Sequence, residues 1–251
     1  MRPSIFCAAA FAATGLVLTS SAGADVRVAH LSPNTPTVDV LAGAAGSSDP
    51  KGLLFDAASY PSVTPYVPVP TGNYDIDVVL DSDNSVIGID VDNFAIDGDT
   101  DYTIAAVGLL GGDPALQALP LVDDNTIDEK MARVRFVHAG SNAPTVDIDA
   151  VGFGTVFDDV ERFSSGGYIS VDAGTYDFEV LLSDNRAAGS VLDLDGIALE
   201  AGTVYTVYAI GLVGSTETPL SALISVDAVV PEPASLGALG FGALLLMRRR
   251  R

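Results

Sequence analysis

At 251 residues the chain suits one large β domain or two of ordinary size. Twelve basic residues face 33 acidic ones, a net charge of −21, with 48% hydrophobic and 18% charged residues. That balance excludes wholesale disorder, and it excludes nucleic acid and anionic membrane surfaces as partners, because both demand a basic face. Cys7 is the single cysteine and His30 and His138 the only histidines, so disulfides, thiolate nucleophiles and most zinc or triad chemistry lack their parts.

Residues 1–24 open with Arg2, continue through an apolar stretch from Ile5 to Leu18 and end in Ala22-Gly23-Ala24. This is the order of a secretory signal peptide, with cleavage by signal peptidase expected after Ala24. The apolar stretch is shorter than the roughly 20 residues of a spanning helix.

The segment 25–122 carries apolar residues at a period of two. Tyr74, Ile76, Val78 and Leu80 alternate with Asp75, Asp77 and Val79, and Ile87, Ile89 and Val91 stand against Asp90 and Asp92. The pattern predicts strands with one buried face and an acidic face toward water. Thr71-Gly72 and Asp97-Gly98 mark turns. The run Asp97-Gly98-Asp99-Thr100-Asp101 opens like a calcium loop, but Tyr102 replaces the required glycine and Gly108 the closing glutamate. Asp97, Asp99 and Asp101 therefore remain only weak calcium candidates, and a solvated hairpin tip explains them equally well. No cofactor is otherwise expected.

The same unit is then written again. Residues 27–40, RVAHLSPNTPTVDV, match 135–148, RFVHAGSNAPTVDI, at seven of fourteen positions. Gly72-Asn73-Tyr74-Asp75 matches Gly174-Thr175-Tyr176-Asp177, and Val107-Gly108-Leu109 matches Ile210-Gly211-Leu212. The acidic run at 123–131 reads as a linker and 132–229 as the second unit, with Tyr176, Phe178, Val180 and Leu182 alternating against Asp177 and Glu179. Turn signals at about ten-residue spacing predict an all-β chain of two tandem immunoglobulin-like antiparallel β-sandwiches. The Val-Arg-Val-x-His-x-Ser-Pro-Asn-x-Pro-x-Val-Asp-Val opening and the Gly-x-Tyr-Asp strand resemble the bacterial domain-of-unknown-function family 4397 (DUF4397). The resemblance implies a secreted or surface protein and no particular activity.

Residues 230–251 read VPEPAS, then the apolar run Leu236–Met247, then four arginines. As a helix, the run would extend about 18 Å against a bilayer core of about 30 Å, and the arginines would stay on the cytoplasmic side. The Pro231-Glu232-Pro233 motif, short apolar helix and basic end resemble the PEP-CTERM sorting signal. That resemblance implies processing by an exosortase, with transient inner-membrane contact through residues 236–247 and delivery to the cell surface or extracellular matrix.

Candidate chemistry in the body is sparse. His30, Ser32 and Asp39 lack a nucleophile elbow, and Gly140 replaces Ser32 in the second copy, so the histidines are expected to satisfy backbone groups. Tyr74, Tyr102, Tyr176 and Tyr205 are expected in the core with their hydroxyls at the rim, while Tyr60, Tyr66 and Tyr168 are loop or strand-edge candidates for an exposed sugar platform. Residues 25–230 hold seven basic and 32 acidic residues, near −25 in net charge. The resulting expectation is a non-enzymatic structural protein of the surface or exopolysaccharide matrix, its acidic side chains facing water and bridged by divalent cations. The alternative is a polysaccharide- or protein-binding module using the loops at the sandwich ends.

Overall fold

The computed structural model describes residues 23–230. The leader up to residue 22 and the segment 231–251, with the expected C-terminal helix and Pro231, Glu232 and Pro233, lie outside the described residues. The first half contains β1 (Gly23–His30), β2 (Val38–Ala44), β3 (Gly52–Ala58), β4 (Ser62–Val63), β5 (Val67–Pro70), β6 (Gly72–Leu80), β7 (Asp83–Ile96), β8 (Asp101–Val107) and β9 (Gln117–Asp123). The second contains β10 (Met131–His138), β11 (Val146–Ala150), β12 (Gly154–Val160), β13 (Ser164–Asp172), β14 (Gly174–Leu182), β15 (Ser190–Leu199), β16 (Thr203–Ile210) and β17 (Ser221–Val229). A single 3-10 turn, Arg186–Ala188, is the only helical element among the described residues.

Each half is a two-sheet sandwich, and the strand order is the same in both. The outer sheets run β3-β2-β6-β7 and β12-β11-β14-β15. The inner sheets run β4-β1-β8-β9, with β5 also on β1, and β13-β10-β16-β17. The outer sheets are antiparallel as expected. The inner ones are not wholly so: β1 lies parallel to β8, and β10 to β16. From β1 the chain crosses to the outer sheet as β2 and β3, returns as β4 and β5 on one side of β1, crosses again as β6 and β7, and comes back as β8 on the other side of β1, parallel to it.

One edge differs between the halves for a local reason. Where β13 is continuous, the first half has two short pieces, β4 and β5, separated by Thr64-Pro65-Tyr66. Proline offers no N–H to a ladder, and Pro65, Pro68 and Pro70 interrupt this stretch while Ser170 and Asp172 occupy the later two positions in β13.

Period-two alternation fills three cores. Val26, Val28, Val40, Phe55, Ile76, Val78 and Ile104 pack between the sheets of the first half, and Val134, Phe136, Ile148, Phe157, Phe178, Val180 and Val207 between those of the second. The intervening residues of the inner strands form the third: Ala29, Leu31, Ala105, Val107 and Leu121 meet Val137, Ala139, Tyr208 and Ile210. The molecule is thus four sheets deep, and the central inner strands β1, β8, β10 and β16 are buried on both faces instead of the expected one. Gly108 and Gly211 end β8 and β16 at φ of 90° and 91°, where a β-carbon would collide with the carbonyl oxygens of Ala115 and Pro219.

Two expected boundaries move. Gly23 and Ala24, expected in the removed leader, begin β1, pair with Pro70 and Val69, and place Ala24 in the first core at 1% exposure. Asp123, expected to open the linker, ends β9 and is buried. The remaining connection is fastened: Arg133 bonds Asp124 and the carbonyl of Thr126, and Asn125 donates to Asp101.

Candidate functional site

The side chain that sequence alternation alone did not place is the arginine that opens each copy. Arg27 and Arg135 lie on the third-core side of β1 and β10, both 2% exposed. Each reaches across to the other half. Arg27 Nη2 donates to Asp227 Oδ1 at 2.7 Å, and Arg135 Nη2 to Asp123 Oδ1 at 2.6 Å. Within its own half, Arg27 Nε donates to Thr103 Oγ1 at 2.8 Å and Arg135 Nε to Thr206 Oγ1 at 3.1 Å. Those threonines donate in turn to Asp123 and Asp227. Tyr66 and Tyr168 cover the two guanidinium groups, with ring centroids 4.5 and 4.8 Å from the Cζ atoms. Two positive and two negative charges cancel, and both aspartate side chains have no exposure.

Burial opposes the charge on Arg27, but Tyr208, Asp227, Tyr66 and Asp123 more than offset it, so its pKa stands above the ordinary value. Arg135 is raised in the same way, with Asp123 the largest contribution against burial. Burial likewise pushes the Tyr66 and Tyr168 phenols upward. Those two tyrosines are therefore partners of buried arginines and not an exposed sugar platform; Tyr60 is half-buried against the third core. Asp123 and Asp227 also correct the expectation that the acidic side chains face water. A basic residue at the same place in both copies, flanked on each side by apolar residues, was the available signal.

The histidines take up the backbone role expected of them. His30 and His138 are buried at the ends of β1 and β10, and each Nε2 donates to a proline carbonyl, Pro36 at 3.0 Å and Pro144 at 2.9 Å. Burial lowers the pKa of both. Ser32 Oγ bonds Thr35 and the carbonyl of Gly108, so His30, Ser32 and Asp39 form no relay. Tyr102 and Tyr205 are core residues, and the hydroxyls of Tyr74 and Tyr176 bond the carbonyls of Pro70 and Asp172 at the rim.

Asp39 and Asp147, one residue into β2 and β11, are buried for a different reason. Each Oδ1 accepts an amide, from Ala57 and Asp159 respectively, at 2.9 Å. Those two residues have φ of 50° and 49°, and the carboxylates pin the left-handed kinks in β3 and β12. Around them gather the carboxylate groups with metal-compatible spacing among the described residues, Asp39 with Asp56 and Asp81, and Asp147 with Asp158 and Asp159. Their ligand atoms lie within 4.8 Å of one another. Asp97, Asp99 and Asp101 are not so grouped: Asp101 accepts from Asp25 N and Asn125 Nδ2, and Asp97 and Asp99 are exposed. In the second half Arg186 bridges Asp147 and Asp149, while the charges of Asp147 and Asp159 raise the pKa of Asp158. Beside this group, clefts of about 440 Å³ run past Asn142–Thr145, Asp159, Glu161, Arg162 and Asp184.

No curated protein matches the sequence. Solved structures align at low similarity. A family 26 carbohydrate-binding module from Eubacterium rectale Amy13K, in complex with maltoheptaose, is 12% identical over 83% of this chain and 98% of its own, with a TM-score of 0.23. The tip fimbrial protein Mfa3 from Porphyromonas gingivalis is 8% identical over 81% and 99%, with a TM-score of 0.20. The fimbrial anchor protein Mfa2 from the same organism is 9% identical over 83% and 100%, also at 0.20. The family models are informative. The PEP-CTERM protein-sorting motif matches residues 229–251 and marks an exported cell-surface protein processed by exosortase at the membrane. The domain of unknown function model (DUF4397) matches residues 24–149, from β1 through β9 and on to β11. That match spans half of the chain, and the chain belongs to the DUF4397 family.

Proposed function

We propose that the protein is a non-enzymatic structural component of the cell surface or extracellular matrix, associated with exopolysaccharide and cross-linked through divalent cations such as calcium. The building units are the two sandwiches, β1 to β9 and β10 to β17. The observation that carries this reading is the disposition of the carboxylates: three-acid groups recur beside the kinked edge strand of each outer sheet, β3 and β12, their outer members exposed. The groups suited to nucleophilic or general-base chemistry are instead buried and committed to internal hydrogen bonds. Hard cations favour oxygen ligands of this kind, and an anionic body presents many of them to neighbouring carboxylate-bearing chains.

The test compares the processed body in chelator, millimolar magnesium and millimolar calcium. A higher melting temperature and calcium-dependent self-association in sedimentation are expected. Unchanged melting and sedimentation would remove cation bridging. Binding of secreted polymer that persists at high salt would instead favour a ligand-binding module working through the clefts at Asn142–Thr145, because screening weakens charge-driven contacts.

A further inference from the structure

The two hairpins that join the second and third strands of each half differ in kind. In the first half the tip is Ala45-Gly46-Ser47-Ser48-Asp49-Pro50-Lys51, polar throughout its centre. In the second it is only Val151-Gly152-Phe153, with Val151 52% and Phe153 77% exposed. Phe153 is the most exposed large apolar side chain among the described residues, held out over Tyr176 with ring centroids 5.7 Å apart. Single exposed apolar side chains are ordinary, but Val151 and Phe153 stand together at one hairpin apex, and that pairing calls for a reason.

Its position in the fold supplies one. Tyr176 lies near the start of β14, whose Gly174 pairs with Leu199 at the end of β15. The turn that follows carries Gly202, whose carbonyl accepts the amide of Val230 at 2.9 Å. The apolar tip therefore shares one end of the second sandwich with the point where the chain departs toward its sorting segment, and Val229 and Val230 are exposed there too. Only Pro231–Ser235 separates Val230 from the apolar run at Leu236. Five extended residues reach at most about 18 Å. The twelve-residue run itself is too short, as a helix of about 18 Å, to cross a core of about 30 Å unaided.

We infer that before processing, the Val151–Phe153 tip dips into the interfacial region of the bilayer and supplements the short sorting segment as a second membrane contact. The inference rests on the membrane stage of the export reading. Its occupant is the lipid surface itself: with the apolar run in the membrane, a tether of at most about 18 Å keeps this end of the second sandwich near it. Phenylalanine suits that role, gaining contact with acyl chains without carrying charge into them.

The full chain has no tryptophan, so Phe153→Trp provides a unique reporter. Reconstituted in neutral phosphatidylcholine vesicles, the variant should emit at shorter wavelength than in detergent-free buffer after removal of residues 231–251, and brominated lipid should quench it. Phe153→Ser should weaken vesicle partition of the full chain roughly tenfold or more. Emission typical of water, with the chain bound to vesicles, would overturn the inference while leaving the membrane stage intact. Blue-shifted emission that lipid does not quench would mean the ring is covered by a second copy or by the chain's own tail, and would also overturn it. A full chain that floats free of vesicles would sink both readings together.

Discussion

The two halves have one strand order, yet the apolar side chains they bring together are unlike. Ala105 in β8 corresponds to Tyr208 in β16, Leu31 to Ala139, and Ala29 to Val137; all six are buried in the shared third core. A face that packs against a related copy of itself cannot place two tyrosines at one crossing, so a large residue on one side is matched by a small one on the other. The charged residues follow the opposite rule. Arg27 with Asp123 and Arg135 with Asp227 are present in both halves, because each arginine needs the aspartate of the other. Repetition in the polar network and divergence in the apolar one together specify pairing of the first half with the second. Two like halves would meet with a void or a clash.

The largest break in this symmetry comes from removing one arginine. Arg27→Ala leaves buried Asp227 with only the more distant Arg135, at 3.9 Å, and Arg135→Ala leaves Asp123 with only Arg27 at the same distance; each should destabilise the protein by about 3–5 kcal/mol in urea unfolding. Lysine should rescue little, since one ammonium cannot serve both the threonine and the aspartate as the guanidinium fork does. Replacing the pair together, Arg27→Met with Asp227→Leu, should recover much of the loss, as buried charges repay their desolvation poorly. A loss below about 1 kcal/mol for either single alanine would show that the halves are not locked by this network.

A smaller difference separates the two kink-pinning aspartates. Asp39 accepts the amide of Ala57 and stands beside Asp56 and Asp81. Asp147 accepts the amide of Asp159 and in addition Ser183 and Arg186. Asp147→Ala should therefore cost roughly 1–3 kcal/mol and Asp39→Ala about 1 kcal/mol or less, since both relieve repulsion within a three-acid group but Asp147 gives up more hydrogen bonds. Calcium should reverse that order if it occupies the first group, because Asp39→Ala would then remove a ligand as well. Equal losses with and without calcium would sharpen the comparison against cation binding at Asp39.

The period-two pattern and the internal repeat made the strands and both sandwich cores legible, since alternation reports a buried face directly. What alternation could not report was the second buried face of β1, β8, β10 and β16. The stretch Tyr102–Val107 is almost continuously apolar, the mark of a strand covered on both sides, but six residues of that kind do not say what covers them. Asp123 was misplaced for the same reason: an acidic residue beside Asp124 and Asn125 reads as solvated until its partner, Arg135, is brought back from twelve positions away. Ala24 closes a good cleavage pattern, and only its pairing with Val69 shows that it belongs to β1. The carboxylate groups were invisible because their members lie on separate segments, three in the first group and two in the second.

The histidines offer the finest discrimination. Burial holds both below the ordinary value of 6.5, and Arg162 lowers His138 further. In the unfolded chain they regain that value, so below about pH 6.5 the unfolded state binds more protons than the folded one. Stability must then fall as pH drops from about 7 toward the depressed folded values, at no more than about 1.4 kcal/mol per pH unit for each histidine. Carboxylates such as Asp124, held low chiefly by Arg133, act in a separate window below about pH 4. Glutamine can present its amide where Nε2 sits, so His30→Gln and His138→Gln should each flatten the slope between pH 7 and pH 5 while preserving the bond to Pro36 or Pro144. His138→Gln should flatten it more, because only that ring stands near a positive charge. An unchanged slope in the double variant would assign the pH dependence elsewhere, and a larger effect at His30 would reverse the ranking of the two corners.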